Sequence, residues 1–94
     1  MPSSDEKYRV LITDEALAVL NKLDKAVRGR VKKKLEALSS LRPARTLKKH
    51  RDIWILGIGD YRALYLIDEN ARTRTVFFIG SHKEYEKKYL LMFK

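Results

Sequence analysis

The chain has 94 residues, of which 45% are hydrophobic and 10% aromatic, enough for one modest core and too many for a wholly disordered chain. Its 21 lysines and arginines against 12 acidic residues give a formal net charge of +9, which attracts a polyanion such as nucleic acid or a ribosomal surface. There is no cysteine to form disulfides or thiolate metal sites, and two histidines do not make a zinc centre, so we expect no metal or cofactor.

The chain is expected to form a single domain over residues 1–94, with residues 1–6 as a flexible N-terminal tail. No apolar run approaches the length of a membrane span, and residues 1–6 are polar and acidic rather than signal-like. We therefore expect a cytoplasmic protein without a membrane partner.

The first half of the chain predicts one strand and two helices. Alternating apolar side chains indicate a strand over Tyr8–Ile12. Thr13 or Asp14 can cap a first helix with a side-chain oxygen, and Asp24 can cap a second. Apolar residues follow at helical spacing in both cases, up to Pro43. The first part of the second helix carries no acidic residue and six basic ones: Lys25, Arg28, Arg30, Lys32, Lys33 and Lys34. This positive face is either simply solvated or a contact surface for RNA or the ribosome.

The second half predicts a basic loop over residues 42–51, three strands and a terminal helix. The strands are Ile53–Ile58, Tyr61–Ile67 and Thr75–Ile79, the first two joined by a hairpin turn at Gly59-Asp60. The class is therefore α+β, with a small, mostly antiparallel four-stranded sheet, an N-terminal helical hairpin and a C-terminal helix, in the order β-α-α-β-β-β-α. We expect the helices to pack on one face of the sheet.

Arg62 is the most informative residue, because it shares its side of a predicted strand with Leu64 and Leu66. One interpretation is structural: the side chain reaches solvent at the strand end or pairs with Asp60. The other is functional, a guanidinium fixed by the sheet that holds a phosphate and neutralises the charge that grows in a transition state.

His82 follows Gly80-Ser81 at the end of the last strand, where a side chain can project over the sheet edge. Imidazole exchanges a proton near neutral pH, so His82 is a candidate general acid or base, with local hydrogen bonding at a helix start as the alternative. Tyr85 and Tyr89 lie at helical spacing and either stack on a base or belong to the core.

Two segments resemble the RelE/ParE toxin superfamily: residues 54–65, which run WILGIGDYRALY, and residues 76–85, which run VFFIGSHKEY. The resemblance implies a RelE-like fold and the toxin half of a type II toxin–antitoxin system. Its activity would be that of a metal-independent endoribonuclease, an mRNA interferase, which enters the ribosomal A site and cuts messenger RNA with the RNA 2′-hydroxyl as nucleophile. Its partners would be the ribosome, messenger RNA and a RelB-like antitoxin.

The resemblance also implies roles for individual residues. Arg62 matches the superfamily arginine that stabilises the transition state, and His82 stands where some members carry a catalytic histidine and would be the general acid. Tyr85 lies near the superfamily's terminal aromatic residue and would be the third catalytic residue. Contacts with RNA would come from the basic loop, the last helix and a second tyrosine: Arg45, Lys48, Lys49, Arg51, Lys83 and Tyr89.

One departure from the superfamily pattern keeps other functions open. Many active relatives carry Lys or Arg at the places filled here by Ile55 and Gly57. This loss favours a ParE-like poison of DNA gyrase, whereas His82 favours RNA cleavage. A noncatalytic RNA- or protein-binding module of the same fold is the third possibility.

Overall fold

The computed structural model describes residues 7–43, 45–47 and 52–90. In chain order, the elements are strand β1 (Arg9–Ile12), helices α1 (Asp14–Lys22) and α2 (Lys25–Ala37), strands β2 (Arg45–Thr46), β3 (Ile53–Ile58), β4 (Tyr61–Asp68) and β5 (Thr73–Ser81), helix α3 (His82–Tyr85) and a π-helical segment (Glu86–Leu90). We call α3 and the π-helical segment together the terminal helix. The predicted α+β class is confirmed, and residues 1–6, the expected tail, lie outside the described residues.

The described strands form one sheet in the order β1-β5-β4-β3-β2. β1 pairs with β5 in parallel, and the other pairs are antiparallel. The predicted Gly59-Asp60 turn joins β3 to β4, with Gly59 at a φ of 58°, a left-handed conformation that glycine adopts without strain. Beyond the four predicted strands, the two-residue strand β2 lies at the edge and places Arg45, which we assigned to a loop, opposite Ile55.

The two helix starts differ from each other. The side chain of Thr13 accepts a hydrogen bond of 3.3 Å from the amide of Ala16, as predicted for a capping residue. Asp24 occupies the corresponding position before α2, but its side chain makes no capping hydrogen bond, so this detail of the prediction is wrong. At the same junction Arg28 donates hydrogen bonds to the carbonyls of Asn21 and Leu23, at 3.2 and 3.5 Å. These carbonyls lie at the C-terminal end of α1, where the helix itself provides no donor.

The main core lies between the sheet and the α1–α2 hairpin. Val31, Leu38, Ala63 and Val76 are fully buried there, so both helices and the central strands contribute to it. Because side chains alternate along a strand, these residues define one face of the sheet, which we call the hairpin face.

A second core covers the opposite face, which we call the site face. Ile55 and Leu64 are buried against Leu47 and Tyr85, and Phe78 packs beside them. The terminal helix thus packs on the site face, and the expectation that all helices share one face is wrong. The physical reason is that β3 is apolar on both sides, so it is stable only when both faces are covered.

Arg74 joins the sheet to the end of α2. Only 5% of its surface is exposed, and its guanidinium donates to the carbonyls of Leu38 and Leu41 at 2.6 and 2.5 Å. It also lies 4.2 Å from the centre of the Tyr8 ring. The sequence pattern marks no special role for this arginine, but the structure makes it a connection between the two layers.

Candidate functional site

Arg62 lies on the site face of β4, between Gly57 on β3 and Gly80 on β5. Its Nη1 atom donates to the carbonyls of Gly59 and Tyr61, each at 2.9 Å, so the guanidinium is held against the β3–β4 turn. The Nε atom is buried without a hydrogen-bond partner among the described residues. Asp60, which we considered as a partner, forms no ion pair with it within the described chain.

His82 is fixed at the start of α3 through its backbone. Its amide donates a 2.7 Å hydrogen bond to the carbonyl of Asp60. Ser81 and Glu84 form a capping box around it, in which the Glu84 amide donates to Ser81 Oγ at 3.1 Å and the Ser81 amide donates to Glu84 Oε1 at 2.8 Å. The imidazole remains about half exposed, at 48%, with Nε2 lying 3.2 Å from Glu86 Oε2.

The structure brings Arg62 and His82 to the same end of the site face. Both are tied to the β3–β4 turn, Arg62 through its side chain and His82 through its amide. Arg62 also pairs across the sheet with Gly80, two residues before His82. The His82 ring lies 6.0 Å from the ring of Tyr85, which packs on the site face.

Gly80 permits the close packing beneath this arrangement. A Cβ atom at this position would lie 2.7 Å from the Phe78 ring and 3.1 Å from Glu84 Oε1. A side chain here would therefore displace either the aromatic ring or the capping box that begins α3.

The two tyrosines occupy different surroundings. Tyr85 is only 6% exposed and packs with Ile55 and Leu64, which agrees with the core interpretation of this residue. Tyr89 is half-buried, with its ring edge-on to Phe78 at 5.2 Å. Burial raises the pKa of Tyr89 above its ordinary value, and the negative charge of Glu15 adds to the rise, so its hydroxyl stays protonated at neutral pH.

The structure describes two of the five predicted RNA-binding cations. Arg45 is exposed on β2, and its pairing with Ile55 puts it on the site face. Lys83 is exposed in the first turn of α3. The remaining three, Lys48, Lys49 and Arg51, lie outside the described residues.

The structure explains why a cation is absent at Ile55 but not why one is absent at Gly57. Ile55 is 8% exposed and belongs to the second core, so a cation there would be buried among apolar side chains. Gly57 is exposed beside Arg62, and a Cβ atom on it would lie an ordinary 3.9 Å from Arg62 Nη1.

Two acidic residues that contact the His82 segment were missed by sequence reasoning. Glu84 belongs to the spacing Ser-x-x-Glu, which is the signature of a capping box and was open to recognition. Glu86 lies four residues after His82, the distance at which side chains meet on a helix. The sequence does not show that Glu86 meets the His82 imidazole or that Glu84 closes the capping box until the position of the helix start is known.

A short basic domain with this sheet, covered on both faces, and with an arginine and a histidine at one end of one face has the architecture of a small toxin of the RelE/ParE type. Residues 10–85 match the family model described as the ParE toxin of the type II toxin–antitoxin system, parDE. The chain belongs to this family of type II toxins. A comparison of its sequence with curated proteins gave no match.

Solved structures support the same classification. The toxin–antitoxin complex RelBE2 of Mycobacterium tuberculosis matches with a TM-score of 0.72 and 26% identity, covering 80% of this chain and 98% of that one. The intact E. coli RelBE complex matches with a TM-score of 0.68 and 29% identity over 79% and 95% of the two chains. The isolated E. coli RelE toxin matches with a TM-score of 0.68 and 27% identity over 86% and 97%.

Proposed function

We propose that this toxin is a ribosome-dependent messenger-RNA endoribonuclease whose site is built on Arg62 and His82. The observation that supports this function best is that the β3–β4 turn holds both residues at one end of the site face. A guanidinium and an imidazole on a common rigid base can act on a single phosphodiester. The endoribonuclease activity, the ribosome and messenger RNA are all part of this proposal.

The proposed reaction begins with in-line attack of the RNA 2′-hydroxyl on the adjacent phosphorus. The Arg62 guanidinium, whose Nε is buried without a partner among the described residues, stabilises the negative charge that grows on the phosphate oxygens. The His82 imidazole, which is half exposed, donates a proton to the leaving 5′-oxygen. The products are a 2′,3′-cyclic phosphate and a 5′-hydroxyl end, and the protein supplies only charge stabilisation and a proton.

The charge of the domain supports a phosphate-rich target. With a net charge of +9, nonspecific contacts guide the nucleic acid, and only a few cations need precise geometry. Arg45 and Lys83 are exposed and are proposed to contact the RNA backbone. The same role is proposed for Lys48, Lys49 and Arg51, and Tyr89 is proposed as a stacking residue at the site margin.

An antitoxin is the second proposed partner. The E. coli RelBE and Mycobacterium tuberculosis RelBE2 structures that this chain resembles are toxin–antitoxin complexes. We propose that a RelB-like antitoxin binds this chain and suppresses its activity in the cytoplasm, where ribosomes translate. Within the described residues, no helix combines the length and the apolar character needed to cross a bilayer.

Inhibition of DNA gyrase is the second candidate function, and two observations favour it. The matching family model is that of a ParE toxin, and one position where RNA-cutting relatives carry a cation is filled here by the core residue Ile55. A gyrase inhibitor does not need a set of RNA-cleaving residues. Arg62 and His82 would then contribute to binding or to the stability of the fold.

Expression of the chain in a translating extract, with mapping of message ends and of DNA breaks, tests the proposal. The expected result is cuts in phase with codons, which disappear when translation is blocked before the toxin is added. Intact messages with accumulating DNA breaks would support the gyrase candidate instead. RNA binding without either lesion would indicate a noncatalytic module and overturn both.

A further inference from the structure

The carboxylate of Glu86 lies beside the His82 imidazole. The two residues are four positions apart on the terminal helix, and Glu86 Oε2 is 3.2 Å from His82 Nε2. Their backbones are also joined, because the Glu86 amide donates to the carbonyls of His82 and Lys83. Tyr85, which lies between them in the chain, is only 6% exposed and packs on the site face. One well-packed turn therefore holds both the carboxylate and the imidazole.

Neither RNA binding nor stability explains a carboxylate at this position. A negative charge at the end of the site face that carries Arg62 repels RNA phosphates and lowers the affinity for RNA. The pair also adds little to stability, since the side chains of His82 and Glu86 are each 48% exposed. A role in the proton transfer of His82 accounts for the carboxylate better than either alternative.

The other acidic residues near His82 do not use their side chains on it. Glu84 accepts a hydrogen bond of 2.8 Å from the Ser81 amide through its carboxylate. Asp60 meets the histidine through its backbone carbonyl. Within the part of the chain that the structure describes, Glu86 is the one residue whose side chain forms an ion pair with His82.

The short distance argues against Glu86 as the general base of the same cleavage. In-line displacement places the attacking 2′-oxygen and the leaving 5′-oxygen on opposite sides of phosphorus, so a base and an acid that act on them lie on opposite sides of the phosphate. Glu86 and His82 are in contact with each other, at 3.2 Å, and so lie on the same side.

We propose, building on the proposed RNA cleavage, that Glu86 is a positioning residue that binds His82 Nε2, so that Nδ1 protonates the leaving group. With a carboxylate as acceptor, Nε2 keeps its proton in both protonation states of the ring, and Nδ1 is the nitrogen that gains and loses one. When Nδ1 gives its proton to the 5′-oxygen, the bond from phosphorus to that oxygen breaks. A neutral imidazole remains, protonated at Nε2, and water returns a proton to Nδ1.

Single-turnover cleavage of RNA by the full chain measures the contribution of Glu86. Glu86→Ala should slow cleavage about 10- to 100-fold, the loss typical of removing a group that orients a functional histidine. RNA binding should be unchanged or tighter, because a negative charge is lost. The matched control is Glu36→Ala, which removes the same charge from an exposed position on α2 and should change the rate less than about twofold. Wild-type rates in Glu86→Ala would overturn the proposal.

A double variant separates action through His82 from an independent role of Glu86. In the background of His82→Ala, Glu86→Ala should cause no further loss of rate, because the ring that it positions is gone. A second loss, as large as that in the wild-type background, would show that Glu86 acts on the RNA itself and would overturn the proposal.

Methylated histidines in place of His82 test which nitrogen gives the proton. Nδ1-methylhistidine has no transferable proton at Nδ1 and should be as slow as His82→Ala. Nε2-methylhistidine leaves Nδ1 free, so it should retain cleavage that no longer depends on Glu86. The reverse order of the two rates would overturn the assignment of Nδ1 as the donor.

A measurement without RNA keeps this inference apart from the proposed function. In nitrogen NMR spectra at about pH 9, where the imidazole is neutral, wild-type His82 should be the tautomer protonated at Nε2. Glu86→Ala should shift it toward a mixture of both tautomers, with the signals of His50, the other histidine of the chain, as the internal reference. If this shift occurs but the wild type cleaves no RNA, the proposed function fails while the pairing stands. Equal tautomer populations in the two proteins would overturn the pairing, whatever the cleavage assay shows.

Discussion

The amide of His82 donates a 2.7 Å hydrogen bond to the carbonyl of Asp60, which joins the start of the terminal helix to the turn between β3 and β4. The same turn accepts the Arg62 guanidinium at the carbonyl of Gly59. One short turn therefore sets the positions of the proposed transition-state cation and the proposed general acid. The predictions below depend on this shared support.

Arg62→Ala should reduce RNA cleavage by about 100- to 1,000-fold, the loss typical of removing one charge-stabilising donor. Arg62→Lys should recover little, because an ammonium lacks the planar fork of the guanidinium. Single-turnover cleavage measures the loss, and the control is Arg9→Ala, an exposed arginine toward the other end of the same face. The log–log slope of RNA-binding affinity against salt concentration should also become less steep by about 0.7. Full toxicity of Arg62→Ala in cells would remove Arg62 from the site.

Arg74→Met should destabilise the fold by about 2–4 kcal/mol, because it leaves the carbonyls of Leu38 and Leu41 without their buried donor. Urea unfolding of this variant and of Arg62→Ala provides the comparison. Among the described residues, Arg62 donates to carbonyls of its own turn alone, at Gly59 and Tyr61, so its removal should cost less stability. If the two variants unfold at the same urea concentration, Arg74 does not connect the layers as described.

Gly80→Ala should lower both stability and cleavage, because the added Cβ atom lies 2.7 Å from the Phe78 ring and close to the capping box before His82. The expected destabilisation is about 1–3 kcal/mol, typical of overpacking. Gly57→Ala is the matched control, since among the described atoms its Cβ meets Arg62 Nη1 alone, at an ordinary 3.9 Å, and it should be tolerated. Thermal unfolding of the two alanine variants should separate them; similar melting temperatures would contradict the packing account.

Gly57→Lys should increase cleavage, because it restores a cation at the exposed position beside Arg62. The corresponding Ile55→Lys should unfold the domain, since Ile55 is buried in the second core. Cleavage rates of Gly57→Lys and the wild type on one message measure the effect. A lower rate for Gly57→Lys would show that RNA does not pass this position.

Stability should fall at alkaline pH through Tyr65, a buried residue of the main core. Burial raises the pKa of Tyr65 above the ordinary value of 10.0, so the folded state holds the phenol proton more tightly than the unfolded state. The stabilisation is present below the unfolded pKa and is lost as pH rises through the raised folded pKa. Urea unfolding from neutral pH to about pH 11 should show a smaller loss in Tyr65→Phe than in the wild type. Equal losses would contradict this role.

Local signals in the sequence predicted most of the fold. The apolar run from Ile53 to Ile58, the glycine turn and the cap at Thr13 each act through neighbouring residues, and each appears in the structure. The side of the sheet on which the terminal helix packs was predicted wrongly, because it depends on contacts of Tyr85 with Leu64 and Ile55 that are distant in sequence.

The candidate site was only partly accessible from the sequence. Arg62 was singled out as a charge on an apolar side of a strand, but its bonds to Gly59 and Tyr61 require the folded turn. A bulge between Leu64 and Tyr65 shifts the pairing of β4 with β5, and the pattern of apolar residues does not reveal it. The register between Arg62 and Gly80 therefore had to be observed.

Cleavage of an RNA whose scissile 5′-oxygen is replaced by sulfur tests the central claim most directly. A thiolate leaves without needing a proton, so the general acid becomes dispensable on this substrate while charge stabilisation does not. On ordinary RNA, His82→Ala and Arg62→Ala should both be slow; on the sulfur substrate His82→Ala should approach the wild-type rate and Arg62→Ala should remain slow. If His82→Ala stays equally impaired on both substrates, His82 does not protonate the leaving group and the assigned mechanism is wrong.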